Sequence, residues 1–77
     1  MPVPAAAFAA AVRAEMDEQG LTQSELAERV NLTKSRIGAI LRGRYAPTIK
    51  TAVRFAEALG VDPTELDARL AQFRVAP

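Results

Sequence analysis

Between Leu21 and Arg42 the chain carries two helix-forming runs with only three residues, "NLT", between them, and this spacing constrains the fold more than any other feature. The first run is "LTQSELAERV". Thr22 and Glu25 stand three apart, where an N-cap hydroxyl accepts from the N3 amide and the N3 carboxylate accepts from the cap amide in return. Leu21 and Leu26 occupy the two positions of a hydrophobic staple. The second run begins at Lys34. Asn31 tolerates a left-handed turn, Thr33 is its N-cap, and Leu32 with Ile37 forms a second staple.

Similar punctuation divides the rest of the chain, and five short helices are predicted. The first runs from about Ala5 to Gln19, with Phe8, Val12 and Met16 at steps of four, and Gly20 is placed as a left-handed cap. The third ends at Arg42, before Gly43. "RYAP" then leads to Thr48 and a fourth helix, in which Ile49, Ala52, Val53, Ala56 and Leu59 keep helical spacing as far as Gly60. "DPTE" opens the last helix, with Asp62 as cap, Pro63 in the first turn, Glu65 completing a capping box, and an apolar stripe of Leu66, Leu70 and Phe73. No segment alternates like a strand, so the class is all-α.

At 77 residues the chain is read as a single domain, 1–77, with its core over about 5–66 and the last helix and tail, about 63–77, as a candidate dimerisation element. Cysteine and histidine are both absent. That removes disulfides, thiolate metal sites, the commonest metal ligand and the usual general base, so no metal, no cofactor and no enzymatic activity are expected. Ser24 and Ser35 have no base, and Asp62, Glu65 and Asp67 are accounted for by capping and exposure. The N-terminal "MPVPAAAFAAAVRAEM" lacks the basic start and strongly apolar centre of a signal peptide, and no run is long enough to span a bilayer. A cytoplasmic protein is the default expectation, nucleoid-associated if it binds DNA.

The net charge of +1 conceals an asymmetry. From Arg29 to Ala56 there are seven basic residues (Arg29, Lys34, Arg36, Arg42, Arg44, Lys50, Arg54) and no acid, while the remainder carries three basic and nine acidic residues. An uninterrupted basic third points to a polyanionic partner met by one face; a merely solvated charge run is the alternative. Helical spacing of the third helix puts Ile37, Ile40 and Leu41 on the core side and Ser35, Ala39 and Arg42 opposite, with Lys34 and Arg36 flanking and Gly38 towards one edge. Small outward residues let a helix sink into a groove, and long basic ones at its margins reach guanine edges or phosphates. Arg36 stands where the capping-box helices carry Glu25 and Glu65. A favourable charge–dipole interaction of about 0.3 to 1 kcal/mol is forgone there, which an external phosphate would explain and neutral drift would also allow.

Two short helices joined by a three-residue turn, the second of them basic, form the helix-turn-helix pattern. From about Leu21 to Leu66 the residues resemble the phage repressor group of the lambda repressor and Cro type. The likeness rests on "LTQSELAERV", with Ala27 at the small crossing position, "NLTKSRI", "LRGRYAPT" and "ALGVDPTEL". Asn31 departs from the usual glycine, and Gly38 and Leu41 stand at positions more often polar or charged. The resemblance implies a compact five-helix, lambda-repressor-like domain that binds double-stranded DNA and regulates transcription, with helix 34–42 in the major groove.

Roles follow as expectations. Lys34, Ser35 and Arg36 would read base edges, with Ala39 offering a methyl contact to thymine; Arg36 fits a bidentate guanine contact or a flanking phosphate. Thr22 and Gln23 would hold a backbone phosphate, a role the resemblance also implies for this glutamine, and Arg42, Arg44, Tyr45 and Lys50 would grip the backbone beyond the groove. Tyr45 has a second placement, its ring covering the core beside Pro47. Gly38 either thins the outward face or is a tolerated weak point in a helix held by Ile37 and Ile40. Family members usually act as homodimers on near-palindromic operators, for which Leu70, Phe73 and Val75 are the candidate interface; the alternative is that these pack back onto the first helix. A minimal repressor or controller is the leading function, and an antitoxin-like protein with a second, protein partner is the other. RNA and membrane surfaces fit the basic helix less well, because aromatic residues for stacking are scarce and no broad apolar face is available for insertion.

Overall fold

The computed structural model describes residues 3–68 and 70. Among them are four α-helices, α1 (Ala5–Gln19), α2 (Gln23–Val30), α3 (Lys34–Leu41) and α4 (Ile49–Leu59), then a 3-10 turn at Pro63–Glu65, and no strand. Three of the four starts are sealed by threonine. The hydroxyls of Thr22, Thr33 and Thr48 accept from the backbone N–H of Glu25, Arg36 and Thr51, each at 3.1 Å. Each helix also ends alike, with a left-handed residue (Gly20, Asn31, Gly43, Gly60) whose successor donates back to a carbonyl five residues earlier. This is the Schellman arrangement, which satisfies carbonyls the helix itself leaves open. In the α2–α3 turn Asn31 takes φ 59° and ψ 46°, and Leu32 N–H donates to the Ala27 carbonyl at 3.0 Å.

Packing closes around a pair of phenylalanines. Phe8 on α1 and Phe55 on α4 are fully buried and meet edge to face, 5.4 Å between centroids with their planes at 76°. Such a pair contributes about 0.5–1.5 kcal/mol beyond the area it removes from water. Val12, Leu26, Ile37, Ile40, Ala52 and Ala56 belong to the same buried cluster, so every α-helix donates to one core. Of the residues expected to form the two staples, Leu26 and Ile37 are buried in the core, and Leu21 and Leu32 are partly buried against it.

Three expectations are corrected. In α4 the inward face is Ala52, Phe55, Ala56 and Leu59, while Ile49 and Val53 remain only partly covered. Phe55, the largest side chain of that helix, has Phe8 to meet, and this rotates the apolar stripe away from the phase that Ile49 and Val53 suggest. The segment after Asp62 forms a short 3-10 turn rather than the start of a regular last helix, because Glu65 and Leu66 N–H donate to the carbonyls three residues back, at 2.8 and 3.0 Å. Finally, the core extends beyond 5–66. Val3 (1% exposed) and Leu70 (0%) both belong to it.

Candidate nucleic-acid interface

Helix α3 lies on the surface with one side anchored. Ile37, Ile40 and Leu41 are buried, as their spacing requires; Lys34, Ser35 and Arg36 are exposed in the first turn, and Ala39 is half-buried. That first turn holds no acid, whereas Glu25 occupies the first turn of α2 and Glu65 that of the 3-10 turn. The positive end of α3 therefore faces solvent uncompensated, a standing attraction for an anion. α3 ends at Leu41, one residue before the expected Arg42, which is the C-cap.

The far end of α3 is pinned by a residue the sequence reading did not single out. Arg13, on α1, donates through Nη1 to the Leu41 carbonyl at 2.7 Å. The chain then turns at Gly43, whose φ of 72° lies in the left-handed region that a side chain rarely adopts, beside the Ala6 backbone of α1. Three more long side chains do the same for other helices. Arg54 donates to the Val30 carbonyl (2.5 Å), Arg29 to Ala58 (3.3 Å) and Gln19 to Leu59 (2.7 Å). A cation at a helix C-terminus both satisfies an open carbonyl and meets the negative end of the dipole. Arg29 and Arg54 thus serve the fold, and the basic block offered to a partner narrows to Lys34, Arg36, Arg42, Arg44 and Lys50. Residue type alone could not have revealed this, since the accepting carbonyls lie 24 to 40 residues away.

Among the expected site residues the structure brings two groups together. The Arg36 guanidinium lies over the Tyr45 ring, 5.1 Å from its centroid. Tyr45 is 47% exposed and it is Pro47 that is buried, so of the two placements open to this ring the surface one is adopted. The second group lies over Gly38. Expected at the edge of the open face, Gly38 is buried: a Cβ built there would meet Arg42 Nη1 at 3.0 Å and Gln23 Oε1 at 3.7 Å. Two side chains expected on the phosphate backbone therefore cover it.

Other placements are simpler. Arg44 is exposed beyond Gly43, and Lys50 is exposed in the first turn of α4, where with Ile49, Val53, Arg54 and Glu57 it lines a surface groove of about 470 Å³. Thr22 forms the reciprocal box with Glu25, its N–H donating to Glu25 Oε1 at 2.9 Å. That backbone N–H first, then the Thr22 hydroxyl, holds the Glu25 carboxyl below its ordinary value, with Arg29 helping. Leu70 is corrected as an interface candidate: it is fully buried in the chain's own core and has no surface to offer a second copy. Phe73 and Val75 lie outside the described residues. Among the described residues no cluster of His, Cys, Asp or Glu could hold a metal ion, and no helix is long and apolar enough to cross a membrane.

Comparison with known proteins agrees with this geometry. Residues 12–66 match the family model described as Helix-turn-helix. A sequence relative, an HTH-type transcriptional regulator of Methanothermobacter thermautotrophicus, is 48% identical over 54 residues, covering 70% of this chain and 78% of its own. The immunity repressor protein of Bacillus phage phi105 is 42% identical over 50 residues, 65% of this chain and 35% of its own length. Among solved structures, the restriction-modification controller protein C.AhdI from Aeromonas hydrophila superposes with a TM-score of 0.75 at 30% identity, over 79% of this chain and 92% of that one. With its two capped helices, its left-handed Asn31 turn and its exposed basic α3, the chain belongs to the helix-turn-helix family of DNA-binding transcriptional regulators.

Proposed function

We propose that this chain is a small repressor or controller that acts as a homodimer on a near-palindromic operator, with α3 inserted in the major groove. The observation that carries the reading is the first turn of α3, where Lys34, Ser35 and Arg36 are exposed around a helix start without an acid. Lys34, Ser35 and Arg36 read base edges, and the Ala39 methyl meets a thymine methyl. Thr22, Gln23, Arg42, Arg44, Tyr45 and Lys50 hold phosphates and set the register. One such helix covers too few base pairs to select a site, and two copies on half-sites ~34 Å apart remove that shortfall. The likeness to a restriction-modification controller, of which 92% is covered, and to part of a phage immunity repressor supports a repressor or controller. The whole chain 1–77 is assigned to this one domain, with Phe73 and Val75 as the contact between copies.

Selection of bound sequences from a random DNA pool tests the reading. A palindromic motif with half-sites one turn apart is expected; a single asymmetric half-site would exclude the dimer, and no enrichment at all would exclude sequence-specific binding. Sedimentation of Phe73→Glu addresses the contact, because a dimer that survives the change is not held by this residue.

A further inference from the structure

We propose that Gly38 is a positioning residue whose missing side chain lets the Arg42 guanidinium fold back beside Gln23, so that guanidinium and carboxamide bind one DNA phosphate together. The inference rests on the DNA-binding reading above and adds to it how two of its residues are coupled. Arg42 is the C-cap of α3 and lies four residues after Gly38. Side chains on a helix lean towards its N-terminus and cover the residue one turn earlier, so the volume above Gly38 is the space Arg42 naturally enters. Its Nη1 reaches a point 3.0 Å from where a Cβ at 38 would stand, and the Gln23 Oε1 reaches 3.7 Å from the same point. Any larger side chain at 38 would occupy this volume first. Gln23 opens α2, so the two side chains converge over Gly38 from the start of one helix and the end of the other.

The chemistry of the pair gives the site its direction. A guanidinium only donates hydrogen bonds, so the oxygen of Gln23, the amide atom on the Gly38 side, is the one compatible with it, and the Gln23 NH2 group is left to donate elsewhere. Phosphate oxygens only accept. The pair therefore presents donors alone, with one positive charge, to a ligand that requires both. The space at 38 is what brings the two together: Gln23 without Arg42 can present either face of its amide, and Arg42 without that space extends past the end of α3, away from Gln23.

The test uses a duplex recovered from a random-sequence pool by the native protein. Affinity is titrated at several salt concentrations and thermal unfolding is followed for Gly38→Ala, Gly38→Leu, Arg42→Ala and the two double variants. Arg42→Ala is expected to weaken binding about tenfold and to lower the salt slope by about 1. Gly38→Leu should reproduce both changes, and adding it to Arg42→Ala should cause no further loss, because both remove the same contact. Gly38→Ala need displace only the flexible tip of Arg42 by a few tenths of an ångström, so it should fall between the native protein and Gly38→Leu in binding while unfolding at a higher temperature. Should the leucine variant lose its fold, Gly38→Ala and its double variant carry the same comparison. Native affinity and salt slope in the Gly38 variants would overturn the proposal. An equal loss on an Arg42→Ala background would also overturn it, showing that position 38 itself touches DNA. A native chain that binds no duplex would instead overturn the DNA-binding reading on which the coupling rests.

Discussion

Arg36 and Tyr45 form a cation–π pair, with the guanidinium 5.1 Å from the centroid of a ring that is about half exposed. The two residues stand on opposite sides of the α3 C-terminus in sequence, one in its first turn and one in the loop beyond. At an exposed site such a pair contributes only about 0.5–1 kcal/mol. Its consequence is directional, since a stacked guanidinium has lost much of its freedom before it meets a base. Arg36→Ala should cost about 1 to 3 kcal/mol in DNA binding and relax preference at one base position. Tyr45→Phe, which keeps the ring but removes the hydroxyl assigned to a phosphate, should lose about 1 kcal/mol, and Tyr45→Leu, which removes the ring as well, should lose about 0.5–1 kcal/mol more. A Tyr45→Phe variant as weak as Tyr45→Leu would move the interaction from the ring to the hydroxyl.

The division of the basic block predicts two kinds of arginine and lysine variant. Lys50→Gln and Arg44→Gln should weaken binding to all sequences alike, each lowering the salt slope by about 1. Arg29→Gln and Arg54→Gln should leave that slope unchanged and lower the unfolding temperature, because these side chains donate to the carbonyls of Ala58 and Val30. Salt-dependent titration combined with thermal unfolding separates the two classes.

Arg13 offers a sharper case, since it lies outside the basic block yet holds the end of α3. Removing its donor leaves the Leu41 carbonyl to solvent at a cost of about 1 kcal/mol. Arg13→Met keeps the aliphatic stem and removes only the charged head. Denaturant unfolding should show that loss, and the salt slope of DNA binding should not change.

Glu25 makes stability depend on pH. Its carboxyl is held below the ordinary value of 4.5 by Thr22, so its contribution is complete above that value and is lost as the pH falls through the lower, folded-state value. Glu25→Gln removes this ionisation. The difference in stability between the two proteins should be constant at neutral pH and shrink in acid, as thermal unfolding followed from pH 7 downward would show.

Helix positions were legible in the sequence because their causes are local. Thr22, Thr33 and Thr48 each act on a residue three further on, and Gly20, Asn31 and Gly60 act through their own φ; none of these effects needs the rest of the fold. The buried face of α3 was legible for the same reason, as Ile37, Ile40 and Leu41 share one side of a helix whatever it packs against. From this the all-α class, the helix-turn-helix and its exposed basic helix all follow.

Only the tertiary structure decided which way α4 faces, where the long side chains go and how the chain closes. Phe55 turns inward because Phe8, far away in sequence, waits opposite; Arg13, Arg29 and Arg54 turn to carbonyls 24 to 29 residues distant; Leu70 enters a core that Val3 closes from the other end. Gly38 belongs to both accounts. Its lack of a side chain is written in the sequence, but its covering by Arg42 and Gln23 depends on how α2 lies against α3. Capping and turn chemistry act over a few bonds and can be read along the chain, whereas a guanidinium's partner is whatever the fold places within its reach.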